Sequence, residues 1–201
     1  MKIFDSAIKS KVKEKRQKLL LAAFLLLLAA VGVCTSCASG GSDPLAYRSR
    51  PFSALVTVKA ANAEFSANYS FSATEADGAR QLSIELLSPE SLRGLVLSSE
   101  DGKLQIFFEG APLASVPASE LVLPMLVARM LDPTAPPSSV LRLRGGECGL
   151  PLYQHLTAVT VGDTVIYVDP ETGLPLKLRD LRGGVLVTVN SICLAPESQV
   201  K

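Results

Sequence analysis

Few side chains in this sequence have the type and spacing to do chemistry. His155 is the only histidine, set in Leu152-Tyr153-Gln154-His155-Leu156. It could serve as a lone base, although such a histidine is more commonly a surface strand or loop residue. The carboxylate pairs Asp169 with Glu171 and Glu100 with Asp101 fall in turn-like stretches, where acids are ordinarily solvated, whereas acid/base catalysis needs a perturbed environment. There is no GxSxG elbow, GxGxxG, Walker loop or HExxH, the arrangements that position a nucleophile, a phosphate or a metal. Arg142, Arg144, Arg179 and Arg182 give the later part a cationic character suited to anionic head groups, with a solvated outer face as the commoner account. These residues predict a non-enzymatic protein with no cofactor and no metal.

The remaining reactive side chains are cysteines, at 34, 37, 148 and 193, and their meaning depends on the first forty residues. Of the 20 Lys plus Arg, seven lie within residues 1–18, against two of the 19 Asp plus Glu. An uninterrupted apolar run follows from Leu19 to Val33, then small residues and Cys37. A basic n-region over 1–18, an apolar h-region over 19–33 and a small-residue processing site make an export signal. Val33-Cys34-Thr35-Ser36-Cys37 is similar to the lipobox of bacterial lipoproteins, with Cys34 departing from the usual Leu, Val or Ile. That resemblance implies removal of residues 1–36 and a diacylglyceryl, palmitate-type lipid on Cys37, which anchors the mature chain to the membrane on its extracytoplasmic face. Two acyl chains suffice for stable attachment where one is marginal. The alternative is an uncleaved signal-anchor helix, whose apolar run at about 1.5 Å per residue nearly crosses a core of roughly 30 Å.

Without residues 1–36 the chain is mildly acidic, with a formal net charge of about −4. This excludes the basic footprint that nucleic acid requires. Cys148 and Cys193 remain as an even pair outside the cytoplasm, which points to a disulfide; two buried thiols are the alternative. Two Cys and one His without ligand spacing do not make a metal site.

Residues 37–50 begin with small and polar side chains, Ala38-Ser39-Gly40-Gly41-Ser42-Asp43-Pro44, and read as a lipidated Cys with a flexible tether. From Phe52 a period of two takes over. Phe65, Ala67, Tyr69, Phe71 and Ala73 alternate with Ser66, Asn68, Ser70, Ser72 and Thr74, which predicts a strand with one apolar face. Leu82-Ile84-Leu86, Leu95-Leu97 and Leu104-Ile106-Phe108 follow, separated by Asp77-Gly78, Ser88-Pro89-Glu90 and Asp101-Gly102 turns. Residues 119–131 break the alternation: Ser119 is placed as an N-cap, Pro124 stands near the first turns, and the apolar residues go nearly all round, so this helix must be buried. After a Pro-rich loop at 132–139, strands resume at Val140–Arg144, Leu156–Val161, Thr164–Val168, Leu174–Leu181 and Val185–Leu194, ahead of a polar tail at 196–201. The order predicts a mainly β (α+β) domain over residues 51–195, a strongly curved antiparallel sheet with a helix in its hollow.

That order, with the phrases Leu87-Ser88-Pro89-Glu90-Ser91-Leu92-Arg93-Gly94-Leu95, Asp101-Gly102-Lys103-Leu104 and Tyr167-Val168-Asp169 running into Thr172-Gly173-Leu174-Pro175, resembles the LolA-like domain of lipoprotein carriers. Relatives of that domain include the mycobacterial LppX and LprG lipoproteins and the clostridial GerS. The resemblance implies an incomplete barrel of about ten or eleven strands around an apolar cavity. In the carriers the cavity takes acyl chains of a lipid or lipoprotein; in the germination relative the shell serves a protein partner. Candidate lining residues are Phe65, Tyr69, Phe71, Ile84, Ile106 and Phe108 on the strands, with Leu121, Met125, Leu126 and Met130 on the helix. The first reading is therefore lipid or lipoprotein binding, and the alternative is a tethered interaction module with its cavity self-filled.

Overall fold

The structure is a computed structural model and describes residues 43–73, 80–100, 103–151 and 154–196. The predicted export signal and Cys37 lie outside these residues, as do the turns predicted at Asp77-Gly78 and Asp101-Gly102. Eleven strands form one antiparallel sheet. They are β1 (Phe52–Ala60), β2 (Ala63–Phe71), β3 (Leu82–Ser88), β4 (Leu95–Glu100), β5 (Lys103–Phe108), β6 (Ala111–Pro117), β7 (Ser139–Arg144), β8 (His155–Val161), β9 (Thr164–Val168), β10 (Pro175–Asp180) and β11 (Leu186–Leu194). The single α-helix among the described residues, α1, covers Val122–Leu131 between β6 and β7.

Chain order runs outward in both directions from one seam. β1 pairs with β11, so the sheet reads β6-β5-β4-β3-β2-β1-β11-β10-β9-β8-β7. β6 and β7 end it without meeting each other, which leaves the expected incomplete barrel.

The alternation in the sequence becomes the division between the two faces. Phe52, Ala54, Val56 and Val58 of β1 are buried, and Phe65, Ala67, Tyr69 and Phe71 of β2 stand beside them in register. Leu82, Ile84 and Leu86 extend this face through β3, and Ile166, Leu178 and Val187 continue it across the seam. Val127, Ala128, Met130 and Leu131 of α1 are buried in the same cluster. Each large apolar side chain removed from water there stabilises the domain by about 1.5–3 kcal/mol.

Three local expectations change. Ser119 does not cap α1: Ala118–Glu120 form a 3-10 turn and the helix starts at Val122 with no side-chain cap. Pro124 decides this start, because a residue lacking an N–H is tolerated only in the first turn, where that N–H has no intrahelical acceptor. A strand not foreseen, β6, spans Ala-Pro-Leu-Ala-Ser-Val-Pro. The ordered domain also begins before residue 51: Ala46–Ser49 form a 3-10 helix, with Leu45 and Tyr47 buried.

The last phrase behind the family resemblance, running from Tyr167 to Pro175, contains a turn with specific bonds. Asp169 accepts from the Glu171 N–H at 3.0 Å and the Thr172 hydroxyl at 2.9 Å, and Gly173 closes the loop at φ +69°, a conformation glycine adopts without strain. Asp180, buried, accepts from the Gly183 N–H. A Cβ at Gly183 would stand 2.7 Å from that carboxylate, which accounts for glycine there.

Candidate functional site

The site is built where α1 lies on the concave face. Phe65, Tyr69, Phe71, Ile84 and Met130 are buried in the common core, and Ile106, Leu121, Met125 and Leu126 pack against it while partly exposed. The structure thus gathers these nine predicted residues around the helix. Phe108 is the exception. It ends β5 beside Gly94, 3.6 Å from where a Cβ would stand, and is 41% exposed. It keeps the same side of the strand as Ile106 but stands at the exposed end of β5, so it belongs to the rim.

Two phenols hold the helix down. The Tyr69 hydroxyl donates to the Pro124 carbonyl at 3.3 Å and the Tyr47 hydroxyl donates to the Leu131 carbonyl at 2.7 Å. The second bond satisfies a carbonyl in the last turn, which has no partner inside the helix. Burial pushes the Tyr47 phenol above its ordinary value of 10.0, and the Asp132 carboxylate adds to the rise; burial does the same for Tyr69. Both are therefore neutral donors across the physiological range.

Beyond the helix C-terminus an arginine joins three parts of the chain. Arg80 donates to the carbonyls of Ser72 (2.8 Å), Arg48 (2.8 Å) and Arg50 (2.5 Å) and to the Asp132 carboxylate (3.1 Å). Its guanidinium lies 5.5 Å from the Phe52 ring centre and 5.9 Å from that of Phe71, rings that stack on each other at 4.6 Å. Arg48 donates to the Pro133 carbonyl at 2.6 Å. An open cleft of about 580 Å³ borders this cluster, with Phe71, Leu82 and Met125 as apolar lining and Arg48, Arg80, Arg129, Asp43 and Asp132 as charged lining. Only Phe71 and Met125 of the predicted lining residues reach it. Tyr47, Arg48, Arg80 and Asp132 were missed. The available signal was the apolar pair Leu45 and Tyr47 inside an otherwise polar stretch.

Of the residues considered for catalysis, His155, Asp169 and Glu171 border one cavity. His155 is exposed at the start of β8, in register with Arg144. It borders a cavity of about 380 Å³ with Gln154, Asp169, Pro170 and Glu171, but Asp169 is engaged in its own turn. Glu100's side chain and Asp101 lie outside the described residues. Among the described residues, no group of three or more His, Cys, Asp or Glu could hold a metal ion.

The predicted disulfide is also not formed. Cys193 is a free, exposed thiol on β11, in register with Ser53 of β1. Cys148 ends the 3-10 turn Gly145–Cys148 that follows β7.

No protein-family model matches the chain, and no curated protein does. Among solved structures it is similar to an uncharacterized conserved protein from Thermus thermophilus, with 16% identity, a TM-score of 0.43 and coverage of 76% of this chain and 84% of that one. It is similar to MucB, with 18% identity, a TM-score of 0.42 and coverage of 82% and 63%, so the chain spans less than two thirds of MucB. It is also similar to the LolA superfamily protein NE2245 from Nitrosomonas europaea, with 12% identity, a TM-score of 0.38 and coverage of 78% and 94%. A LolA-like protein therefore stands among its structural neighbours.

Proposed function

We propose that this chain is an extracytoplasmic binding module, tethered to a membrane by a lipid on Cys37, which acts by docking a protein partner while its own helix fills the hollow of the half-barrel. The observation carrying this reading is the attachment of α1. Val127, Ala128, Met130 and Leu131 are buried against the sheet, and tyrosine hydroxyls bond the helix at Pro124 and at Leu131. A lid that opens to admit an acyl chain must move at modest cost, and this one would give up both bonds and four buried side chains.

Lipid binding is the second reading, and one feature favours it. The cleft of about 580 Å³ beside the helix end falls in the range of small-molecule sites, roughly 300–1,000 Å³, and pairs an apolar lining with arginines. Uptake of a fluorescent fatty acid by the delipidated protein separates the two. No uptake, together with a defined partner recovered by cross-linking in cells, is the expected result; stoichiometric uptake that Met125→Trp blocks would replace the docking reading with the lipid one. The anchor is tested by mass spectrometry of the membrane-extracted protein, where an intact 1–36 segment would exclude lipidation at Cys37.

A further inference from the structure

The two free edges of the sheet differ in a way that identifies one of them as a docking strand. β6 carries prolines at 112 and 117 and no charged residue. Proline withholds a donor, a common means of blunting an edge. β7, Ser-Val-Leu-Arg-Leu-Arg, has no proline, and all of its residues except Leu143 are exposed. No described strand lies beyond it.

The ladder shows which of its backbone groups are open. The Gly145 N–H donates to the Gln154 carbonyl at 2.9 Å, continuing the register of Arg144 with His155 and Leu143 with Leu156. In an antiparallel pair, bonded and non-bonded positions alternate. Leu143, Leu141 and Ser139 therefore turn their N–H and C=O toward β8, and Val140, Arg142 and Arg144 turn theirs outward. The same three residues share a side-chain face, the one on which Val159 joins the core. Among the described residues, neither Arg142 nor Arg144 has an ion-pair or hydrogen-bond partner for its guanidinium. Leu141, 59% exposed, stands on the opposite face.

We propose that β7 is the docking edge for an extended acidic segment of a partner protein, which adds as a further strand and sets alternate carboxylates against Arg142 and Arg144. This rests on the docking reading above and names the chemistry of the partner. Alternate residues of a strand are about 6.8 Å apart, so two acidic residues separated by one apolar residue, which falls opposite Leu143, match the two arginines, and an apolar residue on the far side of the acid facing Arg142 falls opposite Leu141. A second copy of this chain fits poorly, because pairing β7 with itself about Arg142 sets like charges opposite each other, which is destabilising.

The test uses the full chain in detergent with two labelled peptides, one alternating Glu with Val and one alternating Lys with Val. Fluorescence anisotropy is expected to show binding of the Glu peptide at least tenfold tighter than the Lys peptide. Hydrogen exchange should slow at the amides of Val140, Arg142 and Arg144. The double variant R142E/R144E should reverse the preference, a gain that loss of folding cannot imitate. Arg142→Pro, which deletes an outward N–H and leaves the β8 ladder intact, should weaken the Glu peptide at least fivefold. Equal binding of the two peptides, a preference unchanged by charge reversal, or unprotected β7 amides would overturn the proposal. Fatty-acid uptake is read separately, so the docking reading and this edge can fail independently.

Discussion

The centre of the sheet and its two edges are built from similar residues and face different surroundings. Tyr69, Ile84 and Val56 sit under α1 and are fully buried. Leu113 on β6 and Leu141 on β7 are equally apolar and are 62% and 59% exposed. Burial, and with it most of the stability, belongs to strands with neighbours on both sides and the helix above. The edges contribute little to stability and are therefore free to carry recognition. An edge is where a partner can bind without dismantling the core.

Several substitutions would break or sharpen that contrast. Arg80→Ala should cost the most, about 3–5 kcal/mol, because it leaves the carboxylate of Asp132 and three backbone carbonyls without their donor; urea denaturation measures it. Ile84→Ala should cost about 2–5 kcal/mol by opening a void in the core. Tyr47→Phe should cost about 1 kcal/mol, the usual net value of one hydrogen bond. At the bottom of the scale, Leu113→Thr and Leu141→Thr should each stay within about 0.5 kcal/mol. A loss at either edge as large as that at Ile84 would abolish the distinction.

The buried phenols add a pH signature. Their folded values lie above the ordinary 10.0, so the folded state keeps protons that the unfolded chain releases. This stabilisation is present below about pH 10 and is lost as pH rises above it. The melting temperature should be flat on this account from about pH 7 to 9 and fall above about 10, and the fall should be shallower in the Tyr47→Phe/Tyr69→Phe variant.

How much of this was legible in the sequence depended on whether the determining interactions were local. The ten-residue alternation through Phe65 and Phe71 has one physical cause, a half-buried strand, and β2 follows it. The apolar stretch before Asp132 announced a buried helix, and Pro124 announced trouble near its start. β6 was hidden because two prolines argue against a strand anywhere except at an edge. Arg80 was hidden for a different reason. Its acceptors on Arg48, Arg50 and Asp132 lie 30 or more residues away, and backbone carbonyls leave no mark in composition. Phe108 shows the converse failure, because alternation predicts a face correctly without predicting where along the strand that face becomes exposed.

The 3-10 turn at Ala46–Ser49 sets the limits of the smallest piece of this chain that can be expected to fold. Tyr47 and Arg48 grip the carbonyls of Leu131 and Pro133, so a fragment cut at Pro51 would lose the clasp on the far end of the helix while keeping every strand. Such a fragment should retain its sheet and exchange its helical amides faster. Any expressed version intended to represent the native domain has to include Asp43, whose carboxylate accepts from the Leu45 N–H at 3.0 Å and whose carbonyl accepts from the Ala46 N–H at 2.9 Å.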